Sequence, residues 1–274
     1  MNKADVIEKK VAWAKRRILD MSINAGLGHI TSSYSCSEII GSLYYAVMRH
    51  NPQNPTWHDR DRFVMSKNHG SLMLYPILAD LGYFPEEELD TFMKDGTRLG
   101  GHSKFILEGI DYAGGSLGIG LGVGAGLAYA AKMEFKDWRT FVLIGDGECY
   151  EGAIWEAAMF AAHNKLNNLI AIVDRNRLCI TGFTEEVLRL EPLAQKWQSF
   201  GWDAVECDGH DIGQVLSTLD NACNVKREKP FAIIANTTKG KGIDFMSDAP
   251  LFHGIAPFGE DIEKARAQIA EVSR

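Results

Sequence analysis

"IGDGECYEGAIWEAAMFAAHNKLNNLIAIVDRNRL", residues 144–178, holds the unit from which the fold can be read. It opens on a tight Gly-Asp-Gly turn at 145–147 and closes on Asp-Arg-Asn at 174–176. Each motif ends an apolar run, "TFVLIGDG" (140–147) and "NLIAIVDRN" (168–176), too short for a helix and without alternating polarity. Such runs suit strands covered on both faces, as in a parallel sheet. The stretch 151–166 between them is helix-like, and a helix joining two parallel strands makes a right-handed crossover. Asp146 and Asn176 are therefore expected just past the carboxyl ends of two strands, pointing into one crevice.

Further strands are predicted at "FAIIANTT" (231–238), "RFVMSK" (62–67) and "WDAVECDGHD" (202–211). Helix-like stretches at 5–22, 36–49, 70–82, 116–133, 211–226 and 260–272 separate them. The alternation predicts a doubly wound, mostly parallel α/β sheet with helices on both faces, which binds ligands at the carboxyl ends of its strands. No repeat or linker divides the chain, so residues 1–274 are expected to form one domain. Hydrophobic residues make up 46% and charged residues 24% of the chain, values of an ordinary globular protein. No apolar run approaches the ~18 residues of a membrane span, and the start is too charged for a signal peptide, which predicts a cytoplasmic protein. A net charge of −7 without a basic stripe argues against nucleic acid as a partner. Five scattered cysteines without Cys-x-x-Cys argue against disulfides and a zinc cage.

A carboxylate (Asp146), a carboxamide oxygen (Asn176) and the main-chain carbonyl of Leu178 are hard donors suited to Mg²⁺ or Ca²⁺. Mg²⁺ completes its shell with phosphate oxygens and water, so the implied ligand is a diphosphate. An anionic protein must neutralise such a ligand locally. The glycine-rich stretch 113–132 has no Gly-x-Gly-x-x-Gly, which excludes a dinucleotide fingerprint. It reads instead as a loop at Gly114–Ser116 where backbone approaches a ligand, followed by a helix with a Gly/Ala face for close packing. Five of the eight histidines, His29, His69, His102, His210 and His253, sit beside glycine, where sharp loops expose an imidazole. His50, His58 and His163 lack that context and read as surface or helix residues.

Together these residues resemble transketolases, thiamine diphosphate enzymes that move a two-carbon ketol unit from a ketose phosphate to an aldose phosphate. Gly145–Asn176 is similar to the family's cofactor motif. The loops "GHITSSYSCSEI" (28–39), "RFVMSKNHG" (62–70), "GGHS" (100–103), "GGSLGIGL" (114–121), "TTKGKG" (237–242) and "FHG" (252–254) follow the transketolase order. The resemblance implies that Asp146, Asn176 and the Leu178 carbonyl hold the metal. Gly147 and His69 would meet the diphosphate, with Lys239 and Ser32 nearby. The Gly115-Ser116-Leu117 backbone would meet the aminopyrimidine and Ile180 the thiazolium. His29, His102 and His253 would line the substrate channel, His253 also meeting the cofactor, and assist proton transfer, work suited to a group of ordinary pKa ~6.5.

The sequence departs from the family at Ile30 and Ser103, where proline is common, at Ile119 in place of glutamine and at Ile255 in place of lysine. By analogy all four lie close to the substrate entrance. The resemblance covers only the diphosphate-binding half of a full transketolase. It implies the amino-terminal subunit of a split enzyme, whose separate carboxy-terminal subunit supplies the pyrimidine-binding domain and its activating glutamate, in an α₂β₂ assembly. Other readings are a subunit of a deoxyxylulose-phosphate synthase-like or 2-oxoacid dehydrogenase-like enzyme, or a non-catalytic partner-binding scaffold.

Overall fold

The computed structural model describes residues 2–104, 107–112 and 114–271. Ala113 and Val272, included in two of the stretches above, lie outside them. Helix α1 (Lys3–Ala25) starts from a capping box: the Asn2 side chain accepts from the Asp5 amide and the Asp5 carboxylate accepts from the Asn2 amide. Ile7, Val11, Ala14 and Ile18 form its buried stripe, and Gly26 ends it in the left-handed region at φ 71°. Short helices α2 (Ile30–Ser35) and α3 (Ser37–Ser42) follow, then strand β1 (Arg62–Met65) and helix α4 (Leu74–Asp80). Next come α5 (Ile119–Met133), β2 (Thr140–Gly145), α6 (Gly152–His163), β3 (Leu169–Arg175), α7 (Thr184–Val187) and α8 (Leu193–Ser199). The chain continues through β4 (Asp203–Asp208), α9 (Ile212–Asn224), β5 (Phe231–Asn236) and α10 (Asp261–Glu271).

The five strands form one sheet in the order β1-β2-β3-β5-β4, every pair parallel. Successive residues of β3 face opposite ways: Ile170 and Ile172 join the core on one side, Ala171 and Val173 the core on the other. Two buried faces explain why the strand sequences are apolar throughout rather than alternating. Pairing of Gly145 with Asp174 brings the ends of β2 and β3 level, so Asp146 and Asn176 leave the same edge of the sheet as expected.

Some elements differ from expectation. The single helix expected over 36–49 is α3 continued by a π-helical turn at Leu43–Val47, and the one over 70–82 is a 3₁₀ turn at Asn68–Met73 leading into α4. Helices α7 and α8 lack a long apolar stripe and were not expected. His50 lies beyond the helical turn, its Nε2 bonded to the Tyr44 carbonyl and its Nδ1 to the Tyr83 hydroxyl.

The small-residue face of α5 packs against the sheet as expected. A Cβ on Gly120 would lie 2.7 Å from Ser66 Cα, a backbone atom that cannot swing aside. Gly120→Ala is therefore expected to lose stability by about 1–3 kcal/mol from overpacking, despite the ~1 kcal/mol by which alanine favours helix. A denaturant titration that showed Gly120→Ala more stable would contradict this packing.

Candidate active site

The floor of the site is built where β2 and β3 end. Asp146, 1% exposed, accepts through Oδ1 from the Gly147 amide at 2.8 Å. Its Oδ2 accepts from Arg175 Nη1 at 2.9 Å and from the Arg177 amide at 2.5 Å. Arg177 stands at φ 65°, a conformation uncommon for a side-chain-bearing residue, and it aims that amide at the carboxylate. Burial and the neighbouring Asp174 charge raise the Asp146 pKa above the usual carboxylate range. A cation at this carboxylate would relieve that cost. Asn176 Oδ1 accepts from the Leu178 amide at 3.1 Å, and Nδ2 donates to Asp174 Oδ2 at 3.3 Å.

Glu148, buried beneath the turn, accepts from the Gly118 amide at 2.8 Å, the Gly145 amide at 3.1 Å and the Ser66 hydroxyl. It thus ties the Gly-Asp-Gly turn to the start of α5. Lys67, at the end of β1, is buried against Asp174 and donates to the Ser32 carbonyl at 2.8 Å. Burial alone would raise the Asp174 pKa, but the Lys67 ammonium more than offsets it and the net shift is downward.

Above this floor four imidazoles converge from four loops. The His29 ring centroid lies 5.7 Å from those of His69 and His102 and 5.4 Å from that of His253, while His69 and His253 are 5.2 Å apart. Burial lowers all four pKa values, to about 4 for His29, where His102, Lys239 and Lys67 add to the effect. His253 falls to about 3, through burial first and then the charge of Lys239. Lys239 Nζ lies 2.9 Å from His253 Nδ1, which makes Nδ1 the acceptor and leaves the proton on Nε2. Burial and the Lys67 charge also lower Lys239, to about 8.

These shifts predict acid sensitivity. An imidazole with a depressed folded-state pKa makes the unfolded chain bind more protons, so stability falls as pH drops from about 6.5 through about 4. The raised Asp146 and Glu148 act in the opposite direction, so a variant must isolate the histidine term. Without ligand, the loss of melting temperature between about pH 7.5 and about pH 5 should be smaller in His253→Gln than in the unsubstituted chain. An equal loss would show that His253 is not held neutral.

Imidazoles and floor share a cavity of about 350 Å³. Of the residues singled out in the sequence, His29, His69, His102 and His253 line its upper part and Asp146, Gly147, Asn176 and Leu178 its floor. Gly115, Leu117 and Ile180 line the mouth, where Ile180 is 68% exposed. The remaining three do not line the cavity: Ser32 is wholly buried in α2 with a hydroxyl that has no hydrogen-bond partner among the described residues, Ser116 is exposed, and Lys239 is buried with its Nζ against His253 Nδ1. None of the four departures from the family lines the cavity: Ile30 is core, Ser103 is buried against Asn68, and Ile119 and Ile255 are exposed outside it.

Sequence reasoning passed over Lys67, Glu148 as a structural clamp, and Arg175. The available signal was a charged residue directly at the end of an apolar strand.

The site can take a metal–diphosphate group. A Cβ on Gly147 would meet Cys179 Cβ at 2.9 Å, so glycine lets the Cys179 segment close against the turn, and both residues line the cavity. No cluster of three His, Cys, Asp or Glu suited to a metal occurs among the described residues, so a cation would rely on the mixed oxygen set of Asp146, Asn176 and Leu178. That set suits a hard cation.

An open parallel sheet with hard oxygen donors at its strand ends, beneath a group of neutral imidazoles, defines an α/β domain for an anionic cofactor. The family described as transketolase, thiamine diphosphate binding domain, matches residues 7–271, and the chain belongs to the transketolase family of thiamine diphosphate-dependent ketol transferases. It is 40% identical over 267 residues to an apulose-4-phosphate transketolase subunit of Phocaeicola vulgatus, covering 97% of this chain and 95% of that one. It is 44% identical over 231 residues to 6-deoxy-6-sulfo-D-fructose transketolase subunit SqwG of Clostridium sp. (strain MSTE9), covering 84% of each. Among solved structures, transketolase from Campylobacter jejuni superposes with a TM-score of 0.91 at 32% identity, covering 98% of this chain and 43% of that one. No helix among the described residues is long and apolar enough to cross a membrane.

Proposed function

We propose that this chain is a single diphosphate-binding domain acting as the amino-terminal subunit of a two-chain transketolase. It would work with a separate pyrimidine-binding subunit, as α₂β₂, to transfer a ketol unit between sugar phosphates. The observation that carries this reading is the convergence of four neutral imidazoles in one cavity with the Asp146–Asn176 floor. Near-full-length similarity to chains named as transketolase subunits supports the two-chain arrangement.

In this reading Asp146, Asn176 and the Leu178 carbonyl hold Mg²⁺ or Ca²⁺, while the Gly147 backbone and His69 meet the diphosphate. The Gly115–Leu117 backbone accommodates the aminopyrimidine, and Ile180 offers apolar contact to the thiazolium. Thiamine diphosphate, when bound, supplies the electron sink for making and breaking a carbon–carbon bond. His29, His102 and His253 then bond substrate hydroxyls. Being neutral, His29 and His102 can each donate one hydrogen bond and accept another, and the Lys239 contact leaves Nε2 of His253 as its donor. Lys239 and Ser32 act from behind the cavity wall, and Ser116 contributes from its rim.

The test is turnover by the reconstituted chain pair, with thiamine diphosphate and Mg²⁺, against a panel of ketose phosphate donors and aldose phosphate acceptors. Transfer with at least one donor–acceptor pair is expected. Cofactor uptake without transfer to any aldose would overturn the ketol-transfer reading.

A further inference from the structure

His210 lies outside the cavity, in the turn after β4, yet its ring joins two parts of the molecule that frame the site. Nδ1 is 2.9 Å from Glu38 Oε2, and Nε2 accepts from the Thr238 amide at 2.9 Å. The other Glu38 oxygen accepts from Lys15 Nζ of α1 at 2.8 Å, and the Ser37 hydroxyl donates to Oε2 at 2.9 Å. Burial alone would raise the Glu38 pKa, but Lys15 and His210 hold it at about 2, so the group is a carboxylate and only accepts. Nδ1 must therefore be the donor, which leaves the Nε2 lone pair for Thr238. The carboxylate thus selects the tautomer.

The turn that His210 grips carries Lys239. Gly209 allows the two loops to meet, since a Cβ there would lie 3.1 Å from Ala235 Cβ and 3.2 Å from the Asn236 carbonyl oxygen. On the far side of Thr238, the Gly240 amide donates to the Thr31 carbonyl at 3.0 Å, and the Asp248 amide donates to the Lys239 carbonyl at 2.9 Å. Lys239, 2% exposed, then meets His253 Nδ1. A continuous series of bonds runs from α1 through Glu38, His210 and the 237–240 turn to an imidazole in the cavity wall.

We propose that His210 is a positioning residue for the active site: through the Thr238 amide it fixes the Lys239 turn and, through Lys239, the ring orientation and tautomer of His253. This rests on the functional reading above only in assigning His253 to the site. The contacts hold independently of that assignment.

The test uses the full chain and three variants, His210→Ala, His210→Gln and Glu38→Gln. Hydrogen exchange is read over 237–242, the His253 ring resonances by NMR, and thiamine diphosphate uptake by calorimetry in Mg²⁺. In His210→Ala, exchange over 237–242 should quicken about tenfold, as for a lost backbone hydrogen bond. The His253 resonances should shift and cofactor affinity should fall about tenfold, while exchange in β2 and β3 stays unchanged. His210→Gln, whose Oε1 can still accept from the Thr238 amide, should recover most of the exchange protection. Glu38→Gln keeps the ring but frees its tautomer, and should shift the His253 resonances to a lesser degree.

Unchanged exchange and an unchanged His253 signal in His210→Ala would overturn the proposal, as would a loss spread evenly over the sheet. If His210→Ala does not fold, Glu38→Gln decides alone, and an unmoved His253 signal in it overturns the proposal. If the unsubstituted chain paired with its partner subunit takes up no thiamine diphosphate, the functional reading fails, while exchange and the His253 signal still decide the positioning role.

Discussion

Asp146→Ala should weaken thiamine diphosphate binding in Mg²⁺ by at least about a hundredfold, the size expected when one partner of a buried charge arrangement is removed. The carboxylate is the only charged member of the proposed oxygen set, and it also accepts from Arg175 and Arg177. Its loss removes the metal's anionic ligand and leaves the Arg175 guanidinium, still bonded to Glu185 and Glu191, aimed at the site of the metal. The same truncation costs stability, about 3–5 kcal/mol for a buried pair broken on one side. Asp146→Asn, which keeps the shape and loses the charge, is therefore measured beside it under conditions where both variants remain folded. Calorimetric titration with Mg²⁺ and again with chelator checks the result. Affinity that persists in chelator would remove the metal from the floor of the site.

Ketol transfer by the chain alone should be undetectable, rising by more than about a thousandfold when the partner subunit is added, within the ~10²–10⁴ range of a missing acid–base group. The transketolase resemblance assigns the carboxylate that activates the aminopyrimidine to another polypeptide. The carboxylates lining this cavity, Asp146 and Glu148, are held at its floor by other bonds, Glu148 by two backbone amides and a hydroxyl. Around the mouth Leu117, Ile180 and Val187 are exposed apolar side chains, which a covering subunit would take out of water. The chain, saturated with cofactor and Mg²⁺, is to be assayed before and after the partner is added. Full turnover before addition would show that an activating carboxylate resides within these residues.

Much of this architecture could be read from the chain because burial on both faces leaves a plain mark. The runs at 140–147, 168–176 and 231–238 became β2, β3 and β5, and the weaker ones at 62–67 and 202–211 became β1 and β4. Asp146 and Asn176 could be placed together because a motif just past a strand end is located by local chemistry and the crossover rule alone. Glycine beside histidine likewise marked His29, His69, His102 and His253. It marked His210 in the same way, although that ring faces Glu38 rather than the cavity.

Tertiary structure alone decided what those groups touch. Nothing local tells that β5 lies between β3 and β4, yet this order brings the Thr237–Gly242 loop beside Asp174 and delivers Lys239 to His253. Ser32 is buried in α2 with a hydroxyl that has no partner among the described residues, and Arg175 pairs with Asp146 across 29 positions of chain. Periodicity and turn chemistry act within a few residues and are carried by the sequence itself. Ion pairing, desolvation and the lowered histidine pKa values depend on which distant segments are packed together, and these exist only once the sheet has closed its strands into one order.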